Sequence, residues 1–191
     1  MSELILGTAP ASEPVTTAEA KSHLRVDISD DDSLIAALVA AARQAFEEIN
    51  GRSLYTTTWK LVLDDWPSDP YIALPRPPLA SVTSVVYVDS DGNSTTWGAS
   101  NYVVETLRTP GRIYLAEGVD WPSAALRAAS PITITYVAGW ATTPAIPQRY
   151  KQAVLLLVGH WYENRESVVV GRIQGELPLA FESLALMDRV Y

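Results

Sequence analysis

The sequence predicts an α+β fold in which two helical ends bracket an antiparallel, β-rich middle. Apolar residues recur every three or four positions near both ends, whereas the period between them changes to two. Each helical end is close to the size, about 40 residues, at which a chain seldom holds a core alone, so we expect the ends to pack together. The expected division is residues 1–52 and 145–191 for the helical domain and residues 53–144 for an inserted β-sandwich or open barrel.

Two helices are expected before the β region. Thr16 can cap the first free amides of a helix while Glu19 reaches back to complete a capping box, which predicts a short helix to about residue 24. A longer helix follows the aspartates at 30–32, whose charge suits the positive end of the helix dipole, and it ends at Asn50 and Gly51. A paired-carboxylate acid/base site is the alternative interpretation of these aspartates, but no second element supplies a partner for it.

Strands are expected around Trp59, where apolar and polar residues alternate, and at residues 71–74, 82–88, 102–106, 112–115 and 132–137. Between two strands, Asp91 and Gly92 suit a hairpin turn. The oxygen-bearing residues that begin at Asp89 imitate a calcium loop. Ser94 and Ser100 stand where an EF-hand needs glycine and glutamate, so the turn is the better interpretation.

Two further helices are expected after the β region. The third has Pro147 at its first position and a wide apolar stripe that continues to Tyr162. The last is amphipathic and either packs on its own core or serves as a docking element. Its apolar side carries Phe181, Leu184, Met187 and Tyr191.

Composition argues against several classes of function. Lys and Arg number 14 against 22 Asp and Glu, so the net charge is -8, and a strong grip on nucleic acid through phosphates is not expected. The absence of cysteine excludes disulfides and thiolate metal sites. The longest apolar runs, residues 34–42 and 153–158, are far below the roughly 20 residues needed to cross a bilayer. We expect a soluble protein without an export signal or membrane partner.

Residues with catalytic chemistry are sparse. The two histidines, His23 and His160, lie in different predicted helices, and no phosphate cradle, nucleophile elbow or nucleotide-binding fingerprint is present. We therefore expect no catalytic residue, no metal and no cofactor, and a protein that is not an enzyme. A carbohydrate- or host-binding β module is the alternative function, because Trp97, Trp121 and Trp140 could form an aromatic platform or equally belong to the core.

A dense aromatic and charged stretch ends the third predicted helix. Tryptophan, tyrosine and arginine together are typical of interface hot spots, although a solvated helix end has a similar composition. The candidate interface residues are Trp161, Tyr162, Glu163, Arg165 and Glu166.

Several short runs in a fixed order resemble one protein family. They are Glu13-Pro14-Val15-Thr16, Ala18-Glu19-Ala20-Lys21, His23-Leu24-Arg25-Val26-Asp27, Leu34-Ile35, Ala41-Ala42-Arg43, Gly51-Arg52, Thr58-Trp59, Leu74-Pro75-Arg76-Pro77-Pro78-Leu79, Val137-Ala138-Gly139-Trp140, residues 156–166 and Arg189-Val190-Tyr191. In these runs the chain is similar to the head-tail connector (adaptor) family of tailed phages, in its larger type with a β insertion. Members of this family also occur in phage-derived gene-transfer particles.

The resemblance implies a structural protein of a virion or phage-like particle, assembled in the bacterial cytoplasm. It implies a ring of identical subunits, usually a dodecamer, below the portal protein and above a stopper or first tail protein, with DNA passing through without specific binding. The helical ends would form a four-helix connector core, with the stretch that contains Trp161 near a subunit or portal contact. The terminal helix would dock on the portal through Leu177, Phe181, Leu184, Met187, Arg189 and Tyr191.

Overall fold

A computed structural model describes residues 2–164, 168–169, 172–173 and 179–190. The fold is α+β, as predicted, with four helices and two larger antiparallel sheets in the described part of the chain. The chain divides into two compact units. One contains the residues up to Ala11 together with Thr56–Trp140, and the other contains Ser12–Tyr55 together with the described residues from Ala141 onward.

The helical unit holds all four helices. They are α1 (Thr17–Leu24), α2 (Asp32–Asn50), α3 (Gln148–Glu163) and α4 (Leu179–Leu186). Apolar side chains of α2 and α3 form most of the core, and the rings of Phe46 and Tyr150 lie 5.2 Å apart between their centroids. The fully enclosed residues of these two helices include Ile35, Ala42, Ala153, Val154, Leu157 and Val158.

The ends of the first two helices have the capping residues that the sequence predicts. The predicted capping box is confirmed, because the Thr16 hydroxyl accepts from the Glu19 amide at 3.1 Å and Glu19 Oε2 accepts from the Thr16 amide at 2.7 Å. Helix α2 ends at Gly51 with φ of 78°, a left-handed conformation that glycine adopts without strain. Pro147 lies one position earlier than predicted, just before α3, and its carbonyl accepts from the Tyr150 amide at 2.9 Å.

The other unit contains eight strands in two antiparallel sheets, while a short hairpin lies in the C-terminal part of the chain. The five-stranded sheet has the order β1 (Ser2–Thr8), β2 (Thr57–Leu63), β8 (Ile132–Ala138), β4 (Leu79–Val88) and β5 (Ser94–Trp97). The three-stranded sheet has the order β3 (Tyr71–Leu74), β7 (Gly111–Leu115) and β6 (Tyr102–Glu105). The hairpin consists of β9 (Val168–Val169) and β10 (Arg172–Ile173).

The division into units differs from the expected one at the start of the chain. Residues 2–8 form edge strand β1 instead of a loose lead into the helices, and Leu4 and Leu6 lie opposite Leu61 and Trp59 of β2. The physical reason is the period of two in Leu4 and Leu6, which places both side chains on one face of the sheet. Strand β5 was also not among the predicted strands, since Ser94 and the two threonines after it lack apolar alternation.

A single hydrophobic cluster draws on both sheets. It includes Leu61, Val85, Ile132, Ile134 and Tyr136 of the five-stranded sheet and Ile72, Leu74, Tyr102 and Ile113 of the three-stranded sheet. Gly111 marks a close approach within this core, because a Cβ there would clash with the Leu79 side chain. The glycine at the start of β7 therefore lets β4 and β7 pack together.

Candidate assembly interface

The end of α3 is tied to the start of α2 by a tyrosine. Tyr162, which is half-buried, donates from its hydroxyl to Asp31 Oδ2 at 2.5 Å. Asp31 occupies the N-cap position of α2 but makes no side-chain cap hydrogen bond, so its carboxylate binds the tyrosine instead of the helix amides. Trp161 is half-buried and Glu163 is exposed. The predicted interface residues thus include one, Tyr162, that stabilises its own unit.

Arg165 and Glu166 lie outside the described residues. Their part in the predicted interface stays a prediction from sequence alone.

Helix α4 is anchored to the end of α2 by one asparagine. Asn50 Nδ2 donates to the carbonyls of Ala185 at 2.7 Å and Met187 at 3.0 Å, and the Asn50 carbonyl accepts from the Val190 amide at 2.9 Å. Phe181 is fully enclosed. These contacts satisfy the backbone at the end of α4, where helix carbonyls lack partners within the helix.

Two arginines add to this anchor at Asp188. Arg149 pairs with the Asp188 carboxylate, and Arg52 Nη2 donates to the Asp188 carbonyl at 3.1 Å. The hydrogen bond with the Tyr150 hydroxyl and the charge of Asp188 raise the pKa of Arg149 above its ordinary value. The end of the described chain is therefore bound to both α2 and α3.

The predicted docking residues of α4 do not share one surface. Phe181 has no exposed surface, so its side chain cannot contact another protein while α4 packs in this position. Leu184 is half-buried, and Met187 is 45% exposed. The sequence prediction omitted Leu179, which is 83% exposed and is the most exposed apolar side chain of the helix.

Among the remaining predicted docking residues, Arg189 is exposed, whereas Leu177 and Tyr191 lie outside the described residues.

A buried ion-pair network lies within the apolar stripe of α2. Arg43 Nε donates to Glu13 at 2.7 Å, Arg43 Nη1 donates to Glu47 at 2.6 Å, and the other Glu47 oxygen accepts from the Leu54 amide at 2.7 Å. Burial opposes the charge of Arg43, but its hydrogen bond to Glu13 and the charge of Glu47 outweigh burial and raise the pKa of the guanidinium. Sequence reasoning missed this network, although Arg43 and Glu47 at i and i+4 inside an apolar face were its visible signal.

Comparison with protein families identifies the family of the chain. The sequence profile of the head completion protein family matches residues 14–176, a span that includes α1 to α3 and most of the β unit. The chain belongs to the head completion protein family. No curated protein matches it by sequence. The family resemblance seen in the sequence is confirmed.

Solved structures of gene transfer agent particles resemble this head completion protein over nearly its whole length. A chain in the neck of an empty particle, computed with C6 symmetry, is 27% identical with a TM-score of 0.80 and covers 99% of this chain and 96% of its own. A chain in the virion of the native particle is 25% identical with a TM-score of 0.80, covering 98% and 95%. A chain in the neck of the native particle, computed with C12 symmetry, is 25% identical with a TM-score of 0.76, covering 99% and 97%.

Two of the three tryptophans proposed as a binding platform, Trp97 and Trp121, lie together, with their ring centroids 5.3 Å apart. Trp97 is 8% exposed and lies in the hydrophobic cluster, which leaves its ring unable to offer a face to a sugar. Trp121 stacks on Trp66 at 5.0 Å and 11°. Trp140 lies beyond β8, where its carbonyl accepts from the Thr56 amide at 3.1 Å. The interpretation of Trp97 as core is the one that the geometry supports.

The carboxylate at Asp89 is used within its own turn. Its oxygens accept from the Asp91 amide at 3.0 Å and from the amide and side chain of Asn93 at 2.8 and 3.0 Å. The Asn93 hydrogen bonds lower the pKa of Asp89 below its ordinary value. Gly92 has φ of 87°, and β4 and β5 pair on either side, so the predicted hairpin turn is confirmed.

The described residues hold no cluster of three or more histidine, aspartate or glutamate side chains placed to bind a metal ion. In the same part of the chain, each helix is too short or too polar to span a bilayer.

Proposed function

We propose that this protein is a structural head-tail adaptor of a tailed phage or phage-like particle, working as one subunit of a ring in the particle's neck. The observation that carries the proposal is membership of the head completion protein family, together with likeness over 96% or more of the matched chain to proteins in the necks of gene transfer agents. The proposed role is non-enzymatic. The protein would be a component of the particle, which is assembled in the bacterial cytoplasm.

The two units would divide this work. We propose that the helical unit is a four-helix connector core and that the β unit is an antiparallel sandwich inserted into it. The grouping of Ser12–Tyr55 with residues beyond Ala141 supports the first statement. The hydrophobic cluster supports the sandwich, because residues of both sheets contribute to it and the inner faces of the two sheets in a sandwich pack together.

The ring would be a dodecamer, with the portal protein on one side and a stopper or first tail protein on the other. Sixfold and twelvefold symmetry in the related necks supports a cyclic assembly of this kind. The net charge of -8 suits a channel through which DNA passes, since an acidic wall repels phosphates within about 10 Å at ordinary salt. No specific DNA contact is proposed.

Electron microscopy of the purified protein mixed with its portal tests this function. The expected result is a ring of this protein stacked on the portal, with twelvefold symmetry. A protein that stays unbound in the presence of portal, or that binds as a single copy, would contradict the adaptor role.

We propose that α4 is the portal-docking element through its exposed side rather than through Phe181. Leu179 of α4 and Met187, the first residue after it, are 83% and 45% exposed, and exposed apolar side chains along a helix suit a groove in a partner. The double substitution Leu179→Glu with Met187→Glu should reduce portal affinity at least about tenfold without loss of folding. The matched control is Gln44→Glu with Gln152→Glu, two added charges at exposed positions of α2 and α3.

Removing α4 altogether is a poorer experiment, since its Phe181 belongs to the core. Portal affinity that is unchanged in the double variant would overturn docking through α4. Equal losses in the double variant and the control would indicate a general effect of charge.

We propose that the end of α3 forms a subunit contact through Trp161, Glu163, Arg165 and Glu166. The half-exposed ring of Trp161 and the exposed Glu163 support it in the described part of the helix. Arg165→Ala should weaken ring assembly while leaving the urea midpoint of the subunit unchanged, and an unaltered assembly titration would remove Arg165 from the contact. Gln152→Ala, an exposed change in the same helix, is the control.

A further inference from the structure

The face of the three-stranded sheet that points away from the hydrophobic cluster carries an ordered set of side chains. In one row across the strands, Tyr71 of β3 lies opposite Tyr114 of β7, which lies opposite Val103 of β6. In the next row, Arg112 of β7 lies between Ala73 and Glu105. Their neighbours along each strand, such as Ile72 and Ile113, are the enclosed residues, so the period of two assigns these six to the other side. We call these six residues the outer face.

Arg112 is held in one position on the outer face. Its guanidinium lies over the Tyr71 ring, 4.2 Å from the ring centroid, and its Nη1 donates to the Tyr114 hydroxyl at 3.1 Å. The two tyrosine rings are 5.4 Å apart. Because the cation is held by the Tyr71 ring and by the Tyr114 hydroxyl, little side-chain freedom remains to be lost when a partner binds.

The same guanidinium lacks a carboxylate partner among the described residues. Glu105 is directly opposite in the register, but its Oε1 accepts from the Leu107 amide at 2.8 Å and forms no ion pair with Arg112. Arg112 Nε has no hydrogen-bond partner although it is removed from solvent. Because Nε is removed from solvent, a partner's carboxylate would be bound by the Nη groups of this fixed arginine.

The outer face and the loop that follows β6 also expose apolar side chains. Val103 on the outer face is 58% exposed, and Leu107, in the loop that follows β6, is 93% exposed. Tyrosine, arginine and exposed aliphatic groups around a pre-positioned cation form the composition of a protein-binding hot spot.

We infer that the outer face binds a neighbouring copy of this chain, with Arg112 pairing a carboxylate of that copy. The inference rests on the proposed ring. A second copy carries 22 Asp and Glu, which offer carboxylates to the Arg112 guanidinium, and this pairing is a local charge complementarity between copies. A ring contact is head-to-tail and joins two different surfaces, so the outer face need not match itself.

Photo-cross-linking of rings assembled on the portal tests this contact directly. The chain has no cysteine, so Val103→Cys can carry a single benzophenone probe. The expected product has twice the subunit mass, and its peptides come from this chain on both sides. The matched control is Thr96→Cys, an exposed strand position in the other sheet, where only background self-cross-linking is expected.

A charge reversal tests the role of the arginine. Arg112→Glu in the Val103→Cys background should lower the self-cross-link at least about tenfold, whereas Lys60→Glu, the same reversal at an exposed position of β2, should leave it unchanged. Circular dichroism checks that both variants fold. If Arg112→Glu unfolds, Ala73→Glu in the same Val103→Cys background serves instead, because Ala73 is an exposed position opposite Arg112 and a carboxylate there would occupy the guanidinium while its contacts with the tyrosines stay in place.

Cross-links from position 103 to the portal or a tail protein, or none at all, would overturn the inference. Portal co-sedimentation of the unlabelled protein, measured in parallel, separates the two proposals. Portal binding without a self-cross-link means that this contact fails while the adaptor role stands. If the unsubstituted chain does not bind the portal, the adaptor role itself fails.

Discussion

In the helical unit a buried arginine and glutamate lie inside the apolar stripe of α2, whereas the β unit encloses tryptophan and tyrosine rings. The buried charged residues in the described part of the chain, Arg43, Glu47 and Lys151, all belong to the helical unit. In the β unit, Trp66, Trp97 and Trp121 pack within 5.0 to 5.6 Å of one another. The loss of a buried charge should therefore destabilise the helical unit, in addition to any loss of volume, whereas the β unit depends on the volume of its enclosed rings.

The largest expected effect is in the aromatic cluster. Trp97→Ala should lower the free energy of unfolding by about 4 kcal/mol, because it leaves a cavity among the rings of Trp66, Tyr102 and Trp121. Urea unfolding followed by near-ultraviolet circular dichroism measures it, with Thr96→Ala as the exposed control on the same strand. A loss below about 1 kcal/mol would mean that the cluster closes over the gap and that volume is not what the β unit depends on.

Removing the buried cation should have a somewhat smaller effect. Arg43→Ala leaves Glu47 enclosed without its charge partner and should cost about 3 kcal/mol. The urea midpoint of the helical signal at 222 nm measures it, and Gln44→Ala, exposed on the same helix, should change stability by less than about 0.5 kcal/mol. Equal midpoints for the two variants would refute a structural role for the ion pair.

The anchor of α4 comes next. Asn50→Ala removes two hydrogen bonds to carbonyls near the end of α4 and should cost about 2 kcal/mol. Hydrogen exchange should show the amides of 181–190 losing protection before those of α2. Gln152→Ala is the control, and protection that survives in Asn50→Ala would show that the enclosed Phe181 alone holds the helix.

The smallest effect depends on pH. The hydrogen bond from the Thr16 amide lowers the pKa of Glu19 from its ordinary 4.5, so the folded protein binds the proton less readily than the unfolded chain. Its stabilisation is complete above pH 4.5 and is lost as the pH falls through the lower folded value.

Glu19→Gln should therefore be less stable than the unsubstituted chain by about 0.5 kcal/mol near neutral pH, a small amount for an exposed group, and the difference should vanish in acid. Urea midpoints between pH 3 and pH 7 check this. A difference that grows as the pH falls would have the wrong sign for a lowered pKa.

The sequence predicted those features that depend on neighbouring residues. The capping box at Thr16, the end of α2 at Gly51 and the turn at Gly92 each arise from a few consecutive positions. Edge strand β5 was missed because it lacks apolar alternation, and β1 was missed because the three consecutive apolar residues at 4–6 hide the period of two in Leu4 and Leu6.

The candidate site was harder to predict because its contacts join distant positions. Asn50 binds carbonyls some 135 residues away, and Arg43 binds Glu13 across 30 residues. Phe181 was correctly placed on an apolar helix face, but periodicity does not say whether such a face covers its own core or a partner. Arg112 has no motif around it, and its setting arises only when β3 and β7 pair.

Strand β1 has a mechanical consequence for the link between the two units. Because the first residues pair with β2, the chain passes between the two units three times, after Ala11, after Tyr55 and after Trp140. A pull that separates the units is shared among three covalent tethers, and a single proteolytic nick in one of them leaves two intact.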